Sequence, residues 1–184
     1  MSDVNPLAAL VELQTLDLRG NDRLTDVLPL SALTGLHTLD LASCKRLSDV
    51  RPLSALTGLH TLDLSGTCYS NFGSYEHYES ALVDVTPLSV LVGLRYLNLF
   101  GCPELSDVNP LAALVELHTL DLRGNDRLTD VRPLSVLTGL RTLNLASCKR
   151  LSDVRPLSAL TGLHTLDLTP WSPPRPQPVD DFSP

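Results

Sequence analysis

The sequence predicts an α/β solenoid, with a curved parallel β-sheet on its concave face and short helical or 3₁₀ turns on its convex face. The first observation is a repeat. An Asp-Val pair returns every 23 residues, with a single gap of 35, and its aspartates are Asp3, Asp26, Asp49, Asp84, Asp107, Asp130 and Asp153. The second observation is that each repeat carries two leucines one residue apart. One repeat cannot bury its own leucines, whereas a stack of repeats can.

The Leu-x-Leu pairs predict the strands. Alternation with a period of two places Leu39 and Leu41 on one face of a strand and Asp40 on the other. In successive repeats the leucines then form a buried layer, and the residues between them form the outer surface of the sheet. The predicted strands lie near 13–18, 36–41, 59–64, 94–99, 117–122, 140–145 and 163–168.

The Pro-Leu-x-x-Leu segments predict the convex turns. Residues 52–56 suit a short helical or 3₁₀ turn, because proline is tolerated at the first position, where its missing N–H removes no hydrogen bond. Asp49 is expected to cap the turn by accepting backbone N–H groups. Gly58 is expected to break the turn before the next strand.

Two duplications organise the chain. Residues 2–64 match residues 106–168 at all but five positions, in addition to the short repeat. The third repeat carries an insertion at about 68–81. We therefore expect one solenoid of seven repeats over 1–169, and a proline-rich, disordered tail over 170–184. Trp171, at the start of that tail, is expected to fold over the last repeat as a lid.

The repeat resembles the leucine-rich-repeat family. Its signature Leu-x-x-Leu-x-Leu-x-x-(Asn/Cys) stands at Leu36–Cys44 and recurs in the other repeats. The Asp-Val-x-Pro-Leu half is similar to internalin-type repeats. The Ala-Ser-Cys and Phe-Gly-Cys endings are similar to trypanosomatid repeat proteins, one group of which consists of adenylate cyclase regulators. The resemblance implies a leucine-rich-repeat solenoid with inward-pointing Asn or Cys side chains.

Composition excludes several classes of function. The net charge of −7 and the pI near 5.0 argue against a nucleic-acid binder, which needs a basic surface. No apolar run approaches the length of a membrane-spanning helix, about 18 residues or more, and the first residues do not form a signal peptide. These features predict a monomer in the cytoplasm that does not insert into a membrane.

Catalytic and metal-binding patterns are absent from the sequence. There is no Gly-x-Gly-x-x-Gly, Gly-Lys-Ser/Thr or Gly-x-Ser-x-Gly motif, and no Cys-x-x-Cys pair. The histidines outside the insertion recur at the repeat spacing, which is typical of a solvated edge. We therefore expect no enzyme activity, no catalytic residues, no cofactor and no metal.

The cysteines follow the repeat. Cys44, Cys102 and Cys148 occupy the position held by Asn21 and Asn125 in other copies. They are expected to be buried, reduced thiols, because cysteines two strands apart lie beyond the reach of a disulfide. Cys68 lies one position off this column and is the candidate for a reactive or bridged thiol.

Aromatic residues concentrate in one region and give the first candidate binding site. The strand near 94–99 replaces three outward positions by Tyr96, Asn98 and Phe100. Clustered exposed aromatics are typical of the few residues that dominate a protein interface. The alternative is that the inserted loop folds onto Tyr96 and Phe100 and covers itself. The proposed partner-binding set is Tyr96, Asn98 and Phe100 with Tyr69, Phe72, Tyr75 and Tyr78 of the insertion.

A column of acidic residues gives a secondary candidate. The middle position of most strands is an aspartate, which forms a stripe along the predicted concave face. The stripe would suit a basic partner or a cation, and neighbouring aspartates would repel one another. The favoured alternative is that duplication copied one ancestral aspartate. The members are Asp17, Asp40, Asp63, Asp121 and Asp167.

Together these patterns predict a non-enzymatic scaffold that binds a protein partner on its concave face and inserted loop. The alternative is a surface or regulatory protein of the trypanosomatid repeat type, similar to adenylate cyclase regulators.

Overall fold

The computed structural model describes residues 2–71 and 74–170 of the 184, and between 67 and 79 it describes only the backbone. In this part of the chain seven parallel strands form one sheet in the order β1-β2-β3-β6-β7-β8-β9. Two further strands, β4 and β5, form a separate antiparallel pair. The strands are β1 Thr15–Asp17, β2 Thr38–Asp40, β3 Thr61–Asp63, β4 Thr67–Asn71, β5 Ser74–Glu79, β6 Tyr96–Asn98, β7 Thr119–Asp121, β8 Thr142–Asn144 and β9 Thr165–Asp167.

Each parallel strand follows a five-residue 3₁₀ helix. The helices span Asn5–Ala9, Leu28–Ala32, Arg51–Ala55, Thr86–Val90, Asn109–Ala113, Arg132–Val136 and Arg155–Ala159. Proline stands at the start of each, as the sequence predicts. The predicted leucine-rich-repeat solenoid is therefore confirmed.

The strands lie where the sequence places them but are shorter, at three residues instead of six. The preceding leucine directs its N–H into its own turn, as in the 3.0 Å bond from Leu36 to the carbonyl of Leu33. At the other end the repeats remain hydrogen-bonded beyond the strand, since the Leu18 N–H donates to the carbonyl of Asp40 at 2.8 Å. Backbone hydrogen bonds between neighbouring repeats therefore continue beyond the three paired residues of each strand.

A single leucine core runs along the solenoid. In the central repeats the leucines of strand, turn and connecting loop are fully buried, as at Leu97, Leu120 and Leu137. Strand residues of the same type pair in parallel, so that Leu62 lies opposite Leu97 and Leu97 opposite Leu120. Each repeat therefore covers the leucines of the one before it.

The expected Asx caps are present. The Asp49 carboxylate accepts the N–H of Arg51 at 2.9 Å, and equivalent bonds form at Asp26, Asp84 and Asp130. Gly58 lies between the end of the 3₁₀ helix at Ala55 and the next strand at Thr61, and it is not among the described glycines with a left-handed backbone. A Cβ there would lie 3.4 Å from the carbonyl oxygen of Leu36 in the preceding repeat.

The insertion forms a hairpin and leaves the main sheet intact. Its strands β4 and β5 pair antiparallel, with Thr67 opposite Glu79 and Cys68 opposite Tyr78. Strand β3 pairs directly with β6 across the insertion. The extra residues therefore leave the solenoid between two adjacent strands without disturbing their register.

Candidate protein-binding surface

Strand β6 places Tyr96, Asn98 and Phe100 on the outer face of the sheet at the middle of the solenoid. Exposure alternates along the strand, with Leu97 and Leu99 fully buried and the other three residues half-buried. Tyr96 lies between Thr61 of β3 and Thr119 of β7. The structure thus brings the three residues proposed from the sequence onto one surface.

Phe100 forms a cation–π contact with Arg123. The Arg123 guanidinium carbon lies 4.2 Å from the centre of the Phe100 ring. Such stacking holds both side chains in one arrangement and can contribute about 0.5–2 kcal/mol. The Nε atom of Arg123 is buried and has no hydrogen-bond partner. Arg123 repeats Arg19 of the first half, so the sequence alone does not single it out, whereas the structure places it against Phe100.

A hydrogen-bond network orders the neighbouring polar groups. The Asn98 Nδ2 donates to Asp63 Oδ2 at 2.9 Å, and its Oδ1 accepts the N–H of Phe100 at 3.0 Å. Burial, together with the nearby Asp63 and Asp121 charges, raises the pKa of Tyr96, while a hydrogen bond with Asn98 acts in the opposite direction. The phenol therefore stays protonated and can serve as a hydrogen-bond donor. We call Tyr96, Asn98, Phe100 and Arg123 the central patch.

The acidic column has a local structural role. In each strand of the seven-stranded sheet the side chain of the last residue accepts the N–H of the residue two positions later, as Asp40 does from Ala42 at 2.9 Å and Asp63 from Ser65 at 2.8 Å. The two asparagines of the column do the same, since Asn144 accepts from Ala146 at 3.0 Å. Because the amide oxygen of an asparagine also accepts this backbone N–H, the hydrogen bond at the end of each strand does not require a negative charge.

The charges in the column experience different environments. Burial raises the pKa of Asp40 and of Asp121, against the opposing effect of backbone hydrogen bonds. The pKa of Asp17 is lowered, chiefly by its side-chain hydrogen bond with Arg19. That of Asp167 is lowered by the backbone N–H of Thr169. Arg19 also reaches Asp40, with its Nε 3.3 Å from Oδ2.

The rim of the sheet carries the histidine column. The rings of His37 and His60 stack with centroids 5.2 Å apart and an angle of 15° between their planes. Among the described residues, no three or more His, Cys, Asp or Glu side chains are grouped so that they could hold a metal ion.

The predicted cysteine column is confirmed for three of its members. Cys44, Cys102 and Cys148 are buried and unpaired. The Sγ of Cys148 lies 3.2 Å from the carbonyl oxygen of Leu122, and Asn125 donates from the equivalent position to Leu99 at 3.0 Å. Burial raises the pKa of Cys102 and of Cys148 to about 11. These thiols therefore remain protonated and have little nucleophilic character at neutral pH.

Several proposed site residues fall on the insertion. The structure describes the backbone of the hairpin at Tyr69, Tyr75 and Tyr78 but not the side chains there, and Phe72 lies outside the described residues. The side chain of Cys68, to which the reactive-thiol prediction applies, is likewise not described, and Trp171, to which the lid prediction applies, lies outside the described residues.

A groove of about 670 Å³ at the base of the hairpin was missed from the sequence. Ser80 and Ala81 lie between basic side chains of the first two repeats and Glu104 of the fourth. The usual loop of the third repeat is replaced there by the hairpin, so the loops on either side stand apart. A sequence signal existed in the basic residues Arg23, Lys45 and Arg46, which lie in the corresponding loops of the two repeats before the one that carries the insertion.

No helix in the described part of the chain is both long and apolar enough to cross a bilayer. Parallel strands, 3₁₀ turns and an inward Asn or Cys column define a leucine-rich-repeat solenoid. A family model described as Leucine Rich repeats (2 copies) matches residues 11–55 and 115–159.

Solved structures agree with this assignment. An internalin (inlF) from Listeria monocytogenes is 30% identical with a TM-score of 0.77, and the match covers 92% of this chain and 45% of that one. Internalin C2 of the same species is 31% identical with a TM-score of 0.73, covering 91% and 66%. The chain therefore spans less than half of the first internalin and 66% of the second.

A more distant likeness shows the fold alone. The ectodomain of the Arabidopsis thaliana receptor kinase GASSHO1/SCHENGEN3, solved with CASPARIAN STRIP INTEGRITY FACTOR 2, is 18% identical with a TM-score of 0.57. That match covers 91% of this chain and 19% of the receptor chain. A search of curated protein sequences gave no match. The family model and the two internalins show that the chain belongs to the leucine-rich-repeat family.

Proposed function

We propose that the chain is a non-enzymatic scaffold whose central patch and hairpin bind a protein partner. Leucine-rich-repeat solenoids generally mediate protein–protein interactions. We further propose that the chain acts as a cytoplasmic monomer.

The observation that carries the proposal is the Phe100–Arg123 stack on the concave sheet. The other positions in that column are small or polar, apart from Arg19. A half-buried aromatic ring under a guanidinium offers apolar area and directed hydrogen-bond donors together. Aromatic and Arg residues are the types that most often dominate binding energy. Because the stack exists without a partner, little side-chain entropy is lost on binding.

The hairpin supports the proposal by its position. It leaves the chain between β3 and β6, next to the strand that carries the central patch. Its sequence adds Tyr69, Phe72, Tyr75 and Tyr78. A partner seated on β6 would therefore meet the hairpin at the edge of the same surface.

The acidic column is the secondary surface. Each of its aspartates accepts a backbone N–H at the end of its strand. This structural role explains why the aspartate recurs, with no need for a binding partner. A partner with basic side chains would still be attracted to Asp40 and Asp63. The central patch is favoured because its residues depart from the copied repeat, whereas the aspartates repeat it.

Site-directed photocrosslinking tests the proposal. A photoreactive phenylalanine analogue is placed at position 100 in the full chain. The matched control carries it at position 42, which follows strand β2 as position 100 follows strand β6. We expect cross-links to one partner protein from position 100, reduced when residues 69–80 are deleted, and few from position 42. Equal capture from both positions would contradict the proposal.

A regulatory role of the adenylate-cyclase-regulator type is the second candidate. It rests on the Ala-Ser-Cys and Phe-Gly-Cys repeat endings and on the near-identity of residues 2–64 and 106–168. Mass spectrometry of the cross-linked partner separates the two candidates, since this role requires a nucleotide cyclase.

A further inference from the structure

The repeat with the hairpin leaves a gap in a column of long charged side chains. In successive repeats the residue three positions before the Asp-Val pair is Arg23, Arg46, Ala81, Glu104, Arg127 and Arg150. Ala81 is the one small member of this column, and Ser80 precedes it. The groove of about 670 Å³ lies over these two residues. Its floor is held in place, since the Ser80 Oγ accepts the N–H of Leu82 at 3.2 Å.

The wall of the groove that the fourth repeat forms has its charge balanced. The Oε2 atom of Glu104 lies 2.7 Å from Nη1 of Arg127 in the next repeat. In the column beside it, Nζ of Lys149 lies 2.8 Å from Oδ2 of Asp126. Adjacent loops with opposite charges thus pair with one another. Because Glu104 is paired in this way, it presents little net charge to the groove.

The opposite wall carries positive charge that is not balanced in this way. Arg46 stands between Arg23 and Ala81 in its column, so its neighbours offer a like charge and a methyl group. Both arginines are exposed, and neither side chain forms an ion pair or a hydrogen bond within the described part of the chain. Lys45 lines the same wall, and Asp22 contributes one negative charge. On a chain with a net charge of −7, this wall is a local basic surface.

We propose that this groove, independently of the central patch, binds an acidic segment of a protein partner in an extended conformation. The guanidinium group matches a carboxylate in shape and charge and can donate two parallel hydrogen bonds to it. The walls belong to the second and fourth repeats and thus stand two repeat spacings apart, about 10 Å, which admits one extended chain. A nucleic-acid backbone fits less well, because its continuous row of phosphates needs a longer basic surface.

The spacing of the arginines suits such a segment. Arg23 and Arg46 hold the same position in adjacent repeats, so their backbones lie about 4.8 Å apart. Alternate side chains of an extended peptide point to the same side at intervals of about 6.6 Å. Two long, exposed arginines can therefore reach two carboxylates of one peptide. The small floor lets the main chain of the peptide lie close to Ser80 and Ala81.

Fluorescence anisotropy tests the proposal with the full chain and a labelled peptide of alternating glutamate and glycine. We expect saturable binding that weakens as salt is added, because exposed ion pairs are screened. The same peptide with glutamine in place of glutamate should not bind. Arg46→Gln should weaken binding about threefold, and Arg23→Gln with Arg46→Gln about tenfold, as loss of one and of two exposed ion pairs does.

Two further variants separate the groove from general charge. Arg150 is the exposed duplicate of Arg46 but does not line the groove, so Arg150→Gln removes the same charge and should leave the affinity unchanged. Ala81→Phe fills the groove and keeps every charge. It should weaken binding at least as much as the double arginine variant, and its urea midpoint shows whether the chain remains folded.

Three results would each overturn the proposal. Equal losses from Arg150→Gln and Arg46→Gln would show that the peptide responds to net charge alone. Unchanged binding by folded Ala81→Phe would place the peptide elsewhere. Displacement of the peptide by an equal concentration of inorganic phosphate would show a phosphate site instead. Because the probe is a synthetic peptide, these outcomes do not depend on whether a partner binds the central patch.

Discussion

The duplicated leucines allow a matched test of how burial sets stability along the solenoid. Leu10 and Leu114 stand in the same local sequence, but Leu10 is 48% exposed and Leu114 is 0% exposed. Leu114→Ala removes three buried carbons, worth about 0.8 kcal/mol each, and leaves a closed cavity. The expected loss is about 2–5 kcal/mol.

At Leu10 the same substitution should cost much less. About half of the side chain is already in water, so the transfer term falls to about 1.2 kcal/mol. The space left is open to solvent, and no closed cavity forms.

Urea unfolding of the two variants measures this difference. We expect Leu114→Ala to lower the midpoint at an unchanged m-value, and Leu10→Ala to shift it by less than half as much. Hydrogen exchange should show the first repeat opening before the central ones. Equal losses for the two variants, or uniform protection from residue 3 onward, would refute the reasoning.

Three further outcomes follow from the structure. Burial raises the folded-state pKa of Asp121, so its charge destabilises the fold at neutral pH. Asp121→Asn should thus stabilise at pH 7, and the gain should shrink as the pH falls through that pKa. Asp121→Ala removes the same charge but also the hydrogen bond from the Arg123 N–H, so it should be about 1 kcal/mol less stable than Asp121→Asn; urea titrations across pH decide. Ser147 has a φ of 59° where its counterpart in the preceding repeat, Gly124, has 72°, so Ser147→Gly should raise the free energy of unfolding by about 1 kcal/mol; an unchanged or lower value would contradict the strain. Labelling of thiols in the native protein should modify Cys68 faster than the three buried cysteines. Rapid labelling of all four would contradict the burial of Cys44, Cys102 and Cys148.

Much of the fold could be predicted because the same residue pattern recurs in every repeat. The 23-residue spacing fixed the number and parallel order of the strands, and the Leu-x-Leu pairs fixed their inward face. The cysteine column followed from its alternation with asparagine. Strand length could not be predicted, because it depends on whether the N–H of a residue such as Leu36 bonds within its own turn or across the sheet.

Less of the candidate site could be predicted. Tyr96, Asn98 and Phe100 could be selected because they depart from the repeat. Arg123 could not, because it repeats Arg19, and only the neighbouring Phe100 makes its position different. The structural role of the acidic column was likewise hidden, since a sequence does not show that Asn98 and Asp63 each accept the backbone N–H two residues later, from Phe100 and Ser65 respectively. The hairpin could not be predicted either, because the insertion occurs in one repeat only and offers no recurring pattern from which its pairing could be read.

The duplicated arginines give the most direct test of the central patch. Arg123 stacks on Phe100, whereas its counterpart Arg19 pairs with Asp17 at the edge of the sheet. With the cross-linked partner in hand, calorimetry compares Arg123→Ala, Arg19→Ala and Phe100→Ala, each checked for an unchanged fold. We expect Phe100→Ala to weaken binding at least about tenfold, as loss of a dominant interface residue does, Arg123→Ala to weaken it measurably, and Arg19→Ala to leave it unchanged. If Arg19→Ala weakens binding as much as Arg123→Ala does, or if Phe100→Ala has no effect, the partner binds the acidic column and the central claim is wrong.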